Sequence, residues 1–193
     1  MWEDDRIEDY LKENLKKKRY EHSLGVRDTA IKLSKFYKED VDKARIAGLV
    51  HDCAKNMKTA DSIQLIESNN TKVDNISKKN HELLHGLAGA IIARDIMEIS
   101  DEDILNAITY HTTGRCNMSL LEKIIYVSDY IEPSRDFPGV EELRKISFTN
   151  LDKALLMAFD NTIKFVIEKG SLIHPNTIEA RNFLIFDLEK DKI

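Results

Sequence analysis

Apolar residues recur at helical spacing along almost the whole chain, and few residues interrupt them. Only seven glycines and three prolines occur among the 193 residues. No segment alternates apolar and polar side chains, as a half-buried strand would. The stripe formed by Ile7, Leu11 and Leu15 predicts a first amphipathic helix, and similar stripes follow it. The sequence therefore predicts an all-α fold.

Residues that favour helix starts and stops divide this pattern into elements. Ser119 begins a capping-box pattern that predicts a helix over residues 120–132, which Pro133 ends. Ser100 and Thr149 are predicted to cap two further helices. We expect loops over residues 69–80, 112–118 and 133–140. Because no linker, repeat or low-complexity tract interrupts the chain, we predict a single domain.

The bulk composition excludes several classes of protein. Hydrophobic residues make up 42% and charged residues 33%, a globular balance, and the apolar runs are too short to cross a bilayer. The acidic N-terminus lacks the apolar stretch of a signal peptide. Cys53 and Cys116 are isolated and indicate a reducing compartment. Since the net charge of −5 disfavours a nucleic-acid surface, we expect a cytoplasmic protein with neither a nucleic-acid nor a membrane partner.

The most informative local feature is the doublet His51-Asp52, near the end of a mostly apolar helix predicted over residues 41–54. Aspartate is rarely buried without a partner, and a metal ion is a natural one. An isolated His-Asp pair is more often a buried hydrogen bond or a solvated helix end. The interpretation therefore depends on whether further ligands are present.

Four more residues with metal-binding side chains fall on apolar faces of predicted helices: His22, His85, His111 and Asp129. Asp129 lies within the apolar run of residues 124–131, where a carboxylate has no ordinary packing role. Contributions from five different helices are difficult to explain by packing alone. Imidazole nitrogens and carboxylate oxygens suit iron, manganese, zinc or nickel, so the sequence predicts a metal site.

The order His22, His51-Asp52, Asp129 resembles the H…HD…D signature of HD-domain phosphohydrolases. Within that group, the chain is similar to the YqeK family of bacterial HD hydrolases. This resemblance implies a single HD-domain helical bundle over residues 1–193, with a metal-binding core at about 19–135 and C-terminal helices over 140–193 packing on it. The segments that carry it are residues 19–26, 47–55, 84–86, 110–114 and 121–135.

The resemblance also implies an activity, the symmetrical cleavage of diadenosine tetraphosphate into two ADP molecules with one or two iron ions. The implied metal ligands are His22, His51, Asp52 and Asp129. We expect Asp52, His85 and His111 to act in catalysis; whether the two histidines bind a second metal or the phosphates is left open. The residues predicted to contact the nucleotide are His22, His85, His111, Thr112, Arg135, Ile173, His174, Pro175, Asn176 and Thr177.

Other functions fit part of this pattern. An HD-type nucleotidase or deoxynucleotide phosphohydrolase would use the same metal ligands. A nucleotide-binding regulator without turnover is disfavoured because the ligand set is complete, and a structural protein with buried His-Asp pairs would contain no metal. Lys55 and Lys123 could add positive potential near the site, but we interpret each as a surface charge. A homodimer is a further prediction that the sequence leaves open.

Overall fold

The computed structural model describes residues 1–190, and every regular element in that range is helical. The all-α prediction is confirmed. A one-turn 3₁₀ helix, His81–Leu83, precedes α6. No helix within residues 1–190 combines the length and apolarity needed to cross a bilayer. The helices are α1 Asp4–Asn14, α2 Lys17–Tyr37, α3 Val41–Val50, α4 Thr59–Ser68, α5 Asn75–Lys79, α6 His85–Asp95, α7 Glu102–Tyr110, α8 Leu120–Ile131, α9 Val140–Ser147, α10 Leu151–Glu168 and α11 Pro175–Lys190.

Five helices surround the centre of the molecule. Helix α2 packs along α3 and α8, while α7 contacts α3, α6 and α8. The C-terminal helices join this bundle through α10, which packs on α8, α9 and α11. Leu33, Leu49, Ile108, Ile124 and Phe159 are almost completely buried between these elements. The last three residues of the predicted domain, 191–193, lie outside the described range.

Two predicted helix starts are displaced by one residue. The capping residues are Asp101 and Asn150, not Ser100 and Thr149, and their side chains accept hydrogen bonds from backbone N–H groups two or three positions along. In each case the predicted and the observed cap are neighbours in sequence, and both are residue types that cap helices well. Capping propensity alone therefore does not choose between them. The capping box at Ser119 is formed as predicted.

The helix that leads to the His-Asp doublet is shorter than expected. Helix α3 ends at Val50 and not at residue 54, and the chain continues in tight turns. The backbone N–H groups of Cys53 and Lys55 donate to carbonyls three positions earlier. This is the hydrogen-bond pattern of a 3₁₀ turn, which is tighter than a turn of α-helix. The predicted loop over residues 69–80 also contains a short helix, α5, which Asp74 caps.

Gly48 allows α3 to approach α2 closely. A Cβ atom at this position would lie 2.9 Å from the Cα of Arg27 and 3.3 Å from the Cβ of Ala30. Neither atom can rotate away. We expect Gly48→Ala to lower the free energy of unfolding by about 1–3 kcal/mol, although alanine is the better helix former. Urea denaturation measures this change.

Gly89→Ala is the matched control, because Gly89 is also a buried helical glycine. A Cβ there would meet its nearest side-chain atoms at 3.4 Å, an ordinary contact distance. The free energy of unfolding of Gly89→Ala should therefore differ little from that of the wild type. Equal losses in both variants would contradict the packing explanation for Gly48.

Candidate metal centre

The structure brings together the four residues predicted to bind metal. His22 lies in the second turn of α2, His51 and Asp52 directly follow α3, and Asp129 lies in the last turn of α8. The Nε2 atom of His22 is 3.0 Å from Asp129 Oδ1 and 3.7 Å from Asp52 Oδ2. The Nε2 atom of His51 is 3.5 Å from the same Asp52 oxygen and 3.9 Å from Asp129 Oδ1. Two imidazoles and two carboxylates therefore converge on one point.

Several atoms of this cluster are buried without a hydrogen bond among the described residues, namely Nε2 of His22, Nε2 of His51 and Oδ1 of Asp52. The other ring nitrogens are occupied, since Nδ1 of His51 donates to the carbonyl of Gly48 at 2.8 Å and Nδ1 of His22 to Glu132 Oε1 at 2.9 Å. This arrangement leaves the Nε2 lone pairs facing the cluster. Buried nitrogen and oxygen donors of this kind fit a divalent transition metal.

A second group of ligands shares Asp52 with the first. Asp52 Oδ1 is 3.1 Å from His85 Nε2 and 3.6 Å from His111 Nε2, whereas Oδ2 faces His22 and His51. The Nε2 atoms of His85 and His111 are 2.9 Å apart. Two nitrogens that each lie about 2.0–2.1 Å from one shared ion can be at most about 4.2 Å apart. The second group is therefore compatible with a second ion.

The close approach of α6 and α7 sets the position of His85 and His111. His85 is the first residue of α6 and His111 directly follows α7. Gly86 makes the contact possible, because a Cβ atom there would lie 2.6 Å from the carbonyl oxygen of Thr109. The hydroxyl of Thr112 lies 3.2 Å from His85 Nε2 and 3.1 Å from His111 Nε2. Thr112 thus joins the cluster, as its predicted role requires.

The electrostatics of the cluster favour ionised carboxylates and a neutral histidine. Burial raises the pKa of Asp52 and Asp129, but the neighbouring imidazoles, and Arg135 beside Asp129, reverse this and hold both well below their usual range. Burial lowers the pKa of His85 to about 4, against the opposing effect of Asp52. His85 is therefore neutral near pH 7, the form in which an imidazole binds metal.

Glu132 is a site residue that the sequence analysis missed. It is only 1% exposed, and it accepts hydrogen bonds from His22 Nδ1 and from the backbone N–H and hydroxyl of Ser134. Burial raises the pKa of Glu132, but these hydrogen bonds outweigh burial, and the pKa is lowered. Gly25 leaves space for this side chain, since a Cβ there would be 2.6 Å from Glu132 Oε2. Glu132 therefore orients His22.

Two basic residues, Arg19 and Lys55, also lie beside the cluster. Arg19 Nη1 is 2.7 Å from Asp52 Oδ2. Lys55, which was interpreted as a surface charge, is mostly buried, with Nζ 3.4 Å from His85 Nε2. That interpretation was wrong because the turn after Asp52 folds Lys55 back onto the site. Lys123 pairs with Asp152 at 2.7 Å.

A cavity of about 540 Å³ opens above the cluster, a volume typical of ligand pockets. Arg135, in the loop after α8, lines it and forms a hydrogen bond from Nη2 to Asp129 Oδ1 at 2.5 Å and from Nε to the Asp129 carbonyl at 2.8 Å. Of the four predicted metal ligands, His22 also lines it. The cavity thus reaches the predicted metal site at His22.

Residues 173–177, the predicted contacts for base or sugar, lie at the start of α11. None of them lines this cavity. His174 Nε2 is 3.5 Å from Asp74 Oδ2, its Nδ1 accepts a hydrogen bond from the Asn176 N–H, and Thr177 is buried. The structure does not connect these residues to the metal cluster, and their contact with a nucleotide stays a prediction.

Comparisons of the sequence agree with the geometry of the cluster. The family model described as HD domain matches residues 19–134. A protein of Halalkalibacterium halodurans named symmetrical bis(5'-nucleosyl)-tetraphosphatase is 44% identical over 92% of this chain and 94% of its own length. A Bacillus subtilis protein of the same name is 42% identical over 91% and 94%, respectively.

A solved structure is also similar to this chain over nearly its whole length. It is described as a predicted HD superfamily hydrolase involved in NAD metabolism from Clostridium acetobutylicum, with 59% sequence identity and a TM-score of 0.95. The match covers 97% of this chain and 99% of the other. The matched HD segment contains every residue of the metal cluster. The chain therefore belongs to the HD-domain family and, within it, to the YqeK family of hydrolases.

Proposed function

We propose that this chain is a metal-dependent symmetrical bis(5'-nucleosyl)-tetraphosphatase that cleaves diadenosine tetraphosphate into two ADP molecules. The observation that carries the proposal is the buried cluster of unsatisfied imidazole and carboxylate atoms, which adjoins an open cavity at His22. Relatives with this name, similar over more than nine-tenths of both chains, supply the substrate. ADP would be the only nucleotide product.

His22, His51, Asp52 and Asp129 would hold the first metal ion, and we propose iron from the family resemblance. A divalent cation supplies Lewis-acid polarisation of phosphoryl oxygens when bound. Glu132 fixes the ring of His22, and the carbonyl of Gly48 fixes that of His51. Both imidazoles are therefore oriented before a substrate arrives.

The remaining residues of the cluster act on the phosphate chain. Arg135 presents a guanidinium fork, which suits two phosphate oxygens at once. The Thr112 hydroxyl can donate a hydrogen bond to a phosphate oxygen. His85 and His111 face Asp52 and either contact the central phosphates or complete a second metal site. The two roles differ in the number of ions that active protein contains.

We also propose a cytoplasmic location, because neither cysteine has a disulfide partner and Cys53 is buried. Burial raises the pKa of the Cys53 thiol to about 12, so it is protonated and unreactive near pH 7. A homodimer stays a prediction.

Product analysis across a nucleotide panel tests the proposed function. The panel contains diadenosine tetraphosphate, deoxynucleotides, nucleoside monophosphates and NAD, the last because the similar clostridial protein is described as involved in NAD metabolism. Release of ADP alone from the tetraphosphate is the expected result. Inorganic phosphate from monophosphates would favour the nucleotidase, and binding without any product would favour the regulator. Metal analysis of protein purified without a chelator accompanies these assays.

Arg135→Ala is expected to reduce kcat/KM for diadenosine tetraphosphate about tenfold more than for p-nitrophenyl phosphate, which has no second phosphate to bind. A charge-assisted hydrogen bond contributes about 1.5–3 kcal/mol. We expect the lower end, because Arg135 must first leave Asp129, with which it already pairs. Arg135→Lys should recover part of the loss. Equal losses on both substrates would indicate that Arg135 acts only by supporting Asp129.

A further inference from the structure

The walls of the cavity above the metal centre are basic, although the whole chain carries a formal net charge of −5. Five lysines and arginines line the cavity against three carboxylates. Three of these cations, Lys16, Lys18 and Arg19, belong to the segment that joins α1 to α2 and begins α2. Such a concentration of positive charge in a concave surface attracts anions.

Two of these lysines have no counter-charge in the fold. Within residues 1–190, neither Lys16 nor Lys18 has a carboxylate within ion-pair distance, whereas Lys17 pairs with Glu21 at 3.9 Å. The segment itself is held in place, because the backbone N–H of Lys16 donates to Asn56 Oδ1 at 2.8 Å. Asn56 belongs to the turn that follows Asp52. The backbone that carries these two exposed lysines is therefore held at the edge of the metal cavity.

A second depression adjoins the cavity at His22. Its volume is about 560 Å³, and it shares Lys18, His22 and Ser134 with the first cavity. It lies between the start of α2 and the loop after α8. An extended ligand that crosses the cluster therefore has space on both sides of His22.

We propose that Lys16 and Lys18 form a second phosphate subsite, which binds the diphosphate of the substrate half that Arg135 does not hold. The inference rests on the proposed function, because a substrate cut at its centre presents a diphosphate on each side of the broken bond. Arg135 on the loop after α8 holds one of them, and the start of α2 holds the other. Binding both halves places the central bond, and no other, at the metal cluster.

The test uses the metal-loaded double variant Lys16→Ala/Lys18→Ala. Its KM for diadenosine tetraphosphate should rise about tenfold, since exposed charge contacts are individually weak, while kcat stays within about twofold because the lysines bind ground state and transition state alike. The KM of the wild type should also depend more steeply on ionic strength than that of the variant. If the two lysines had only a structural role, their replacement would not raise the KM while leaving kcat unchanged, and it would not reduce the dependence of the KM on ionic strength.

Lys32→Ala/Lys35→Ala is the matched control, with the same loss of charge at exposed positions further along α2. Calorimetric binding of the non-hydrolysable analogue with a methylene group at the central bridge gives a readout that needs no turnover. About tenfold weaker binding in the first variant alone supports the subsite. Equal binding in both variants and the wild type overturns it, while ADP release by the wild type leaves the proposed function standing. Failure of the wild type to release ADP overturns the function, and analogue binding then decides the subsite independently.

Discussion

Asp52→Asn is expected to remove bound metal and to lower turnover about a thousandfold or more. Asparagine keeps the volume of the side chain but carries no charge, whereas each oxygen of Asp52 faces a different group of imidazoles. Loss of metal removes several kcal/mol of charge stabilisation from the transition state. Metal analysis by mass spectrometry and steady-state kinetics on diadenosine tetraphosphate measure the two losses.

Asp28→Asn provides the control, because Asp28 is an exposed aspartate on α2 that pairs with Arg27. It should retain both metal and activity. Asp52→Asn should also remain folded, since the rest of the core is unchanged. An Asp52→Asn protein with full metal content and normal turnover would remove this residue from the site.

Glu132→Ala is expected to weaken metal binding about a hundredfold, the upper end of the effect of residues that orient a ligand. The substitution leaves Nδ1 of His22 without its acceptor in a buried position and releases Ser134 as well. Glu132→Gln should lose only about tenfold, because its amide oxygen still accepts the His22 hydrogen bond. Competition of the metal with a chelating dye gives the affinities.

Glu122→Ala is the control for Glu132→Ala. It tests whether loss of a buried glutamate weakens metal binding through lower stability, or whether the effect requires the orientation of His22. Glu122 is a buried glutamate in the first turn of α8, whereas Glu132 directly follows the last residue of that helix. Glu122 completes the capping box with Ser119 and pairs with Arg115. Its loss should cost stability, about 1 kcal/mol for the cap, and leave metal affinity intact. If Glu122→Ala weakened metal binding as much as Glu132→Ala, the proposed role of Glu132 would be wrong.

The fold was largely predictable because helical periodicity is a local property. Apolar spacing and a capping box were sufficient to locate α8 and its end before Pro133. The end of α3 at Val50 was not predictable, because residues 51–54 contain no proline or glycine that would stop a helix. That end is fixed by the tight turns which bring the doublet to α2 and α8, so it depends on tertiary packing.

The imidazoles and carboxylates of the cluster were predictable because their chemistry is conspicuous on an apolar helix face, as for His22 and Asp129. Glu132 was not, since a glutamate before the proline that stops a helix ordinarily faces solvent. Arg19 and Lys55 were hidden for a similar reason, because long basic side chains are common on surfaces. Their place at the site depends on how distant helices meet, which single-sequence patterns do not encode.

The residues of the candidate metal centre are spread over most of the chain, and this has a consequence for folding. His22 and its partner Glu132 are 110 positions apart. No short fragment can contain the site. Bringing its residues together costs loop-closure entropy, which is offset only when the whole chain folds. A partly unfolded chain would release its ion first, and a bound ion stabilises the native state by mass action. A bound ion therefore couples the stability of the wild-type fold to the concentration of free metal ion.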